Sequence, residues 1–367
     1  MSQWGQQGQR YGAPTQWRNQ PNQWGTAPRQ QVTWSPQTSQ IPHTGYGGVY
    51  GRPPARRGGS GNALRMLILA IGAIIAGMIV ISMLSSVDDP GGPVVTDPGQ
   101  YQNEEYQVPP IDTNPPELPM PTTYGEASQW LVDNPIYNAN VSMPVRCEAQ
   151  PIDLMNASKT ELEDHFNELT GCLMRVFGPS LESVGFIPVR PSVTVYSSEI
   201  NTRCGTMPRM NAAYCSADQQ VYYASDLPQI IPAQLRNTNY VVESVIAHEF
   251  AHAIQGRAGI LISSAAWEQN SNEATANEFS RRLEVQADCW SGQFMSSVGQ
   301  SVGVDANGID ELARLFHSIG DDVLTGDPGI EGNHGRGASR MAWFLAGSQS
   351  SSMGTCNAFN AAASEVR

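Results

Sequence analysis

The chain has 367 residues, of which 40% are hydrophobic, and a formal net charge of −13. That length exceeds one ordinary domain and suggests two. So acidic a balance gives no footing for nucleic acid as a partner.

The charge is unevenly spread. Residues 1–65 hold seven arginines and no acid, so the acidic excess lies wholly after residue 65. Residues 1–62 are Gln, Gly, Pro and Ser with scattered aromatics, Trp4, Trp17, Trp24 and Trp34 among them. Too few aliphatic residues are present for a core, so this segment reads as a disordered tail. Met66 to Leu84 then runs nineteen residues without a charge. At 1.5 Å per residue it spans about 28 Å, close to a bilayer core of ~30 Å. Residues 63–84 are therefore expected to form a single membrane-spanning helix in contact with lipid. A secretory signal peptide is disfavoured by the long leader ahead of it. Arginines precede the span and Asp88 and Asp89 follow it. The positive-inside rule puts the tail in the cytoplasm and everything beyond about residue 85 outside. Residues 85–123, with nine prolines and several acids, read as a semi-extended spacer.

Residues 124–367 are long enough for one substantial core. Ala127–Val132 reads as a short helix stopped at Asn134-Pro135. Ser158 caps a helix over Lys159–Phe177, with Leu162, Phe166, Leu169, Leu173 and Phe177 three and four apart. His165, among polar neighbours on that helix, reads as a surface residue. Ser192–Tyr196 and Gln220–Tyr223 read as strands. Further helices are expected over Val241–Gln255, Asn270–Met295, Gly308–Ile319 and Gly337–Leu345.

All six cysteines, Cys147, Cys172, Cys204, Cys215, Cys289 and Cys356, fall in the part expected outside. An even number there predicts three disulfides. Cys204 and Cys215 bracket a short loop, which favours their pairing; Cys289–Cys356 and Cys147–Cys172 follow by elimination.

The chemistry concentrates in Val245-Ile246-Ala247-His248-Glu249-Phe250-Ala251-His252. In a helix His248 and His252 lie one turn apart on one face and can both reach one ion at ~2.0–2.1 Å. Glu249 sits roughly 100° round, beside the metal, where a base must be to take a proton from metal-bound water. The motif also arises by chance in buried helices. Against chance, Glu249 is flanked by apolar residues with no cation nearby in sequence. One Zn2+ per chain is the expected cofactor.

Catalytic zinc needs a third protein ligand. Glu268, Glu273, Glu278, Glu284, Asp288, His317 and His334 follow in the chain. Glu284 and Asp288 put two carboxylates four apart on one helix face. One could hold the metal while the other accepts the free N–H of a ligating histidine. Glu273 is the competing ligand.

His248-Glu249-x-x-His252 with Glu284-x-x-x-Asp288 resembles the gluzincin arrangement shared with thermolysin. The fuller likeness is to the bacterial putative neutral zinc metallopeptidases, which carry a membrane anchor. It rests on Cys204-Gly205, Tyr214-Cys215, Asp218 and Val221-Tyr222, on Leu283–Cys289, and on His334-Gly335, Arg340, Trp343-Phe344 and Gly347. It covers roughly Cys204 to Cys356. The resemblance implies zinc on His248, His252 and Glu284, Glu249 as base, and Asp288 behind a ligand. It makes His334 the candidate for stabilising the oxyanion formed when water attacks a peptide carbonyl. His43 and His317 receive no role.

The expectation is an α+β zincin-like domain, mainly helical with a small sheet. It lies behind a single-pass anchor in the cell membrane and hydrolyses peptide or protein substrates of the cell envelope. The alternative is an inactive zinc-containing domain that binds envelope proteins; the presence of Glu249 speaks against it. A third possibility places the function in the Trp/Gln-rich tail.

Overall fold

Helix α3 (Val241–Arg257) runs through the middle of the domain, and every residue in it except His252 is buried. A helix surrounded by protein is expected to be largely apolar, and this one is, apart from the site residues and the partnered Glu243, Ser244 and Arg257. The computed structural model describes residues 101–367. The expected tail, the apolar span and residues 85–100 of the spacer lie outside the described residues. Among the described residues no helix is long and apolar enough to cross a membrane.

Among the described residues two α-helices precede α3. Helix α1 (Tyr124–Val132) is capped by Thr123, and α2 (Lys159–Ser183) by a reciprocal pair of hydrogen bonds between Ser158 and Glu161. The face of α2 predicted to be apolar is buried, with Phe166, Leu169, Leu173 and Phe177 all in the core. Phe166 meets Tyr223 edge-on, with ring centroids 4.7 Å apart, and Phe177 stacks on Phe250 of α3.

Strands β1 (Val193–Tyr196), β2 (Ile200–Thr202), β3 (Gly205–Met207), β4 (Ala212–Cys215) and β5 (Gln220–Ala224) follow α2. Three make a sheet in the order β1-β5-β4, with β1 parallel and β4 antiparallel to β5. β2 and β3 form a separate antiparallel pair. β4 is thus an edge strand, and it packs against α3.

After α3 come α4 (Ile260–Gln269), α5 (Glu273–Val302), α6 (Ala306–Ser318), α7 (Asp321–Thr325) and α8 (Gly337–Ser348). α5 lies beside α3, and α8 crosses α5 closely. A Cβ on Gly347 would collide with the Cys289 carbonyl oxygen, and one on Gly292 with that of Phe344. The fold is mainly helical with a small sheet, as expected. All three expected disulfides are present, Cys147–Cys172, Cys204–Cys215 and Cys289–Cys356.

Four expectations are corrected. Helix α2 continues six residues past Phe177, through Pro179. A proline leaves the carbonyl four residues earlier unpartnered; here Arg175 O accepts from Asn103 Nδ2 at 2.9 Å instead. Residues 101–123 are not a free spacer. Tyr106 lies against Gly178, Ile111 bridges to Arg190, and Pro116 O accepts from Gln219 Nε2 and Arg257 Nη2 at 2.9 and 2.8 Å. Nor is His165 a surface residue: its Nε2 lies 2.8 Å from Glu243 Oε1, both side chains being nearly enclosed. Finally, α5 begins at Glu273 and runs to Val302, seven residues past the expected end.

Candidate metal centre

α3 supplies His248, Glu249 and His252; α5 supplies Glu284 and Asp288. His248 Nε2 and His252 Nε2 are 3.2 Å apart. Glu284 Oε2 lies 3.3 Å from the first, and Glu284 Oε1 3.6 Å from the second. These three residues are the one His/Cys/Asp/Glu group among the described residues able to hold a metal. The far nitrogen of each imidazole is engaged elsewhere. His248 Nδ1 lies 2.8 Å from Asp288 Oδ1, and His252 Nδ1 lies 2.7 Å from Gln255 Oε1. A carboxylate can only accept, so Nδ1 of His248 carries the hydrogen and Nε2 presents its lone pair.

Two imidazole lone pairs and a carboxylate within 3.6 Å of one another call for a cation between them. The edge of a tetrahedron with ~2.0–2.1 Å bonds is ~3.3 Å, so the donor set fits zinc. Without a metal, a proton takes its place. Burial alone would pull His248 down, but Asp288 and Glu284 raise its pKa to about 10. Burial likewise opposes ionisation of Glu284, yet His248, His252 and His334 hold its carboxyl well below the usual range. Metal loading must therefore displace a proton.

Asp288 is fully buried, and its charge is met by Arg340 of α8. Arg340 Nε donates to Oδ2 and Nη2 to Oδ1, both at 2.9 Å. This fork fixes the carboxylate plane, and with it the ring of His248. Glu249 also has its partner: Tyr214 N–H, on edge strand β4, donates to Oε2 at 2.8 Å. Glu249 is buried, and the strand backbone satisfies one of its oxygens.

His334 stands on the loop between α7 and α8, close enough to Glu284 for the two charges to interact. Asp321 Oδ2 accepts from the backbone N–H of His334 and Gly335 at 2.9 and 3.1 Å. Its other oxygen lies 3.4 Å from His334 Nδ1. Burial would lower the pKa of His334, but Asp321 and Glu284 raise it.

Other candidates stand apart from this group. Glu273 is exposed at the start of α5, about 16 Å along the helix from Glu284. Glu278 pairs with Arg282, and Glu268 accepts from Ser264. His317 is in the last turn of α6. Sequence reasoning missed Gln255, Asp321, the Tyr214 N–H, and the pairing of Arg340 with Asp288. Gln255 alone had a readable signal, being three residues after His252 on the same helix.

The family pattern described as "Putative neutral zinc metallopeptidase" matches residues 133–359, more than half of the chain. The chain belongs to that family. The match reaches back across α2 and the sheet, well before Cys204, where the sequence likeness begins. Among curated relatives, the uncharacterized protein YpfJ of Escherichia coli K12 is 27% identical over 228 residues, covering 57% of this chain and 78% of its own length. The uncharacterized protein Rv2575 of Mycobacterium tuberculosis H37Rv is 30% identical over 219 residues, covering 53% and 73%. No solved structure matches.

Proposed function

We propose that this protein is a zinc-dependent endopeptidase, anchored through residues 66–84, with residues 124–367 working on the outer side of the cell membrane. The carrying observation is the convergence of donor atoms from His248, His252 and Glu284 on one point, with Glu249 next to His248 on the same helix. When bound to His248, His252 and Glu284, one zinc ion per chain would polarise a carbonyl and lower the pKa of water towards ~7.

The chain's own residues do the rest. Tyr214 N–H holds one oxygen of Glu249 at 2.8 Å and leaves the other to accept a proton from water. Because that N–H belongs to an edge strand, an extended peptide pairing with β4 would lie alongside the base. His334, whose pKa Asp321 and Glu284 raise against the effect of burial, suits the negative charge that develops on the carbonyl oxygen. Asp288 and Gln255 orient the two histidines. Envelope peptides or proteins are the substrates this location offers.

The rival reading, a zinc-containing domain that binds without cleaving, has no use for a carboxylate at Glu249. The test compares the purified full chain with its variants for zinc content and cleavage of a peptide library. Glu249→Gln should retain about one zinc yet lose 10²–10⁴-fold in activity. His252→Ala and Glu284→Ala should lose the metal. A Glu249→Gln variant as active as the parent would refute the assignment.

A further inference from the structure

The hydrogen bond from His252 is the first link of a longer buried chain. Gln255 Nε2 donates to Leu283 O at 2.8 Å and to Gln286 Oε1 at 3.1 Å. Gln286 Nε2 donates to Cys356 O at 3.0 Å and to Tyr137 Oη at 3.1 Å. Tyr137 spends its own hydrogen on Leu131 O. Gln255, Gln286 and Cys356 are wholly buried, so no solvent can substitute for a missing partner.

This chain reads in one direction only. Carbonyl oxygens can only accept, so Cys356 O demands an N–H from Gln286. Gln286 then turns its oxygen towards Gln255. Both hydrogens of the Gln255 amide are consumed by Leu283 O and Gln286 Oε1, so its oxygen faces His252. His252 must carry its hydrogen on Nδ1, which frees Nε2 for the metal. The final acceptor is itself tethered. Cys356 is joined to Cys289, on the same helix as Gln286 and three residues beyond it.

We propose that Gln286 and the Cys289–Cys356 disulfide are positioning elements of the metal centre, setting the tautomer of His252 from beyond its direct partner. The proposal rests on the reading of His248, His252 and Glu284 as zinc ligands. Without Gln286 only Leu283 O holds the Gln255 amide in this orientation, and a turned amide offers N–H to His252 Nδ1. That favours the tautomer with hydrogen on Nε2, which cannot ligate. The disulfide keeps the anchoring carbonyl at a fixed place relative to α5.

The test uses the full chain with zinc as the probe. Gln286→Met keeps the volume of the side chain and removes its amide. Cys289→Ala with Cys356→Ala removes the tether, and Cys147→Ala with Cys172→Ala removes a disulfide away from the relay. Zinc affinity is read by chelator competition, folding by near-ultraviolet circular dichroism, and the tautomer by histidine-selective nitrogen NMR. Gln286→Met and the Cys289/Cys356 pair should each weaken zinc binding about 10-fold or more. The His252 signal should shift from hydrogen on Nδ1 to a mixture. The Cys147/Cys172 pair should lose thermal stability and keep the parent affinity. Should the Cys289/Cys356 pair fail to fold, Gln286→Met decides. A folded Gln286→Met with parent affinity and parent tautomer overturns the relay alone. Equal weakening by both cysteine pairs also overturns it, as general loosening. A parent chain that takes up no zinc overturns the ligand reading and this proposal with it.

Discussion

The residue whose neighbours decide most about the site is Asp288. It is fully buried, paired in plane with Arg340, and 2.8 Å from His248 Nδ1. Removing one partner of a buried ion pair strands the other charge, at about 3–5 kcal/mol. Arg340→Met should therefore lower thermal stability sharply even with the metal chelated. Adding Asp288→Asn should recover much of that stability while zinc affinity stays about 10–100-fold below the parent. Thermal unfolding and chelator competition on the single and double variants check both halves; a double variant no more stable than Arg340→Met contradicts the pairing. Asp288 was legible in the sequence because it lies four residues from Glu284, a spacing the helix turns into one face. Arg340 was visible only as part of a family likeness. It lies 52 residues further on, and only the crossing of α8 over α5 brings it to the carboxylate.

At the scale of elements, that crossing depends on two glycines. Gly292 and Gly347 let the helix backbones approach until each faces a carbonyl oxygen of the other helix. In an open helix, Gly→Ala stabilises by about 0.8–1 kcal/mol. Here the contact reverses the sign: Gly347→Ala should lower Tm by several degrees, since overpacking costs ~1–3 kcal/mol. A Tm equal to or above the parent's would mean that the helices do not meet there. The long helices were readable from their apolar spacing. The end of α2 was not, because Gly178-Pro179 has the local chemistry of a stop and only a distant side chain, Asn103, satisfies the carbonyl that Pro179 leaves. β4 was missed for a different reason. Its four residues show no alternation, and it is held by β5 on one side and by Glu249 on the other.

For the whole molecule, the largest departure from the sequence reading is residues 101–123. Their prolines and acids are the composition of a solvated spacer, and composition does not reveal that Tyr106, Ile111 and Pro116 have places waiting on the domain. Pro116 O receives Arg257 at the end of α3, the helix that carries His248 and His252. A protein beginning at residue 101 should therefore unfold at a higher temperature than one beginning at 124. Equal melting temperatures would show that the segment adds nothing. Arg257 is itself buried, and Asp112 of this same segment favours its charge, so losing residues 101–123 strands a charge as well as exposing apolar surface.

Helix α5 bears Glu284, Gln286, Asp288, Cys289 and Gly292 within nine positions. Adding or deleting one residue inside that stretch would turn everything beyond it by about 100° and shift it by ~1.5 Å. The carboxylate would leave His248, the sulfur would leave Cys356, and the glycine would leave Phe344, all at once. Substitutions can be absorbed there one at a time, but a change of length cannot. The exposed turn over residues 326–329, between α7 and His334, is where the chain can gain or lose residues without touching any of these contacts.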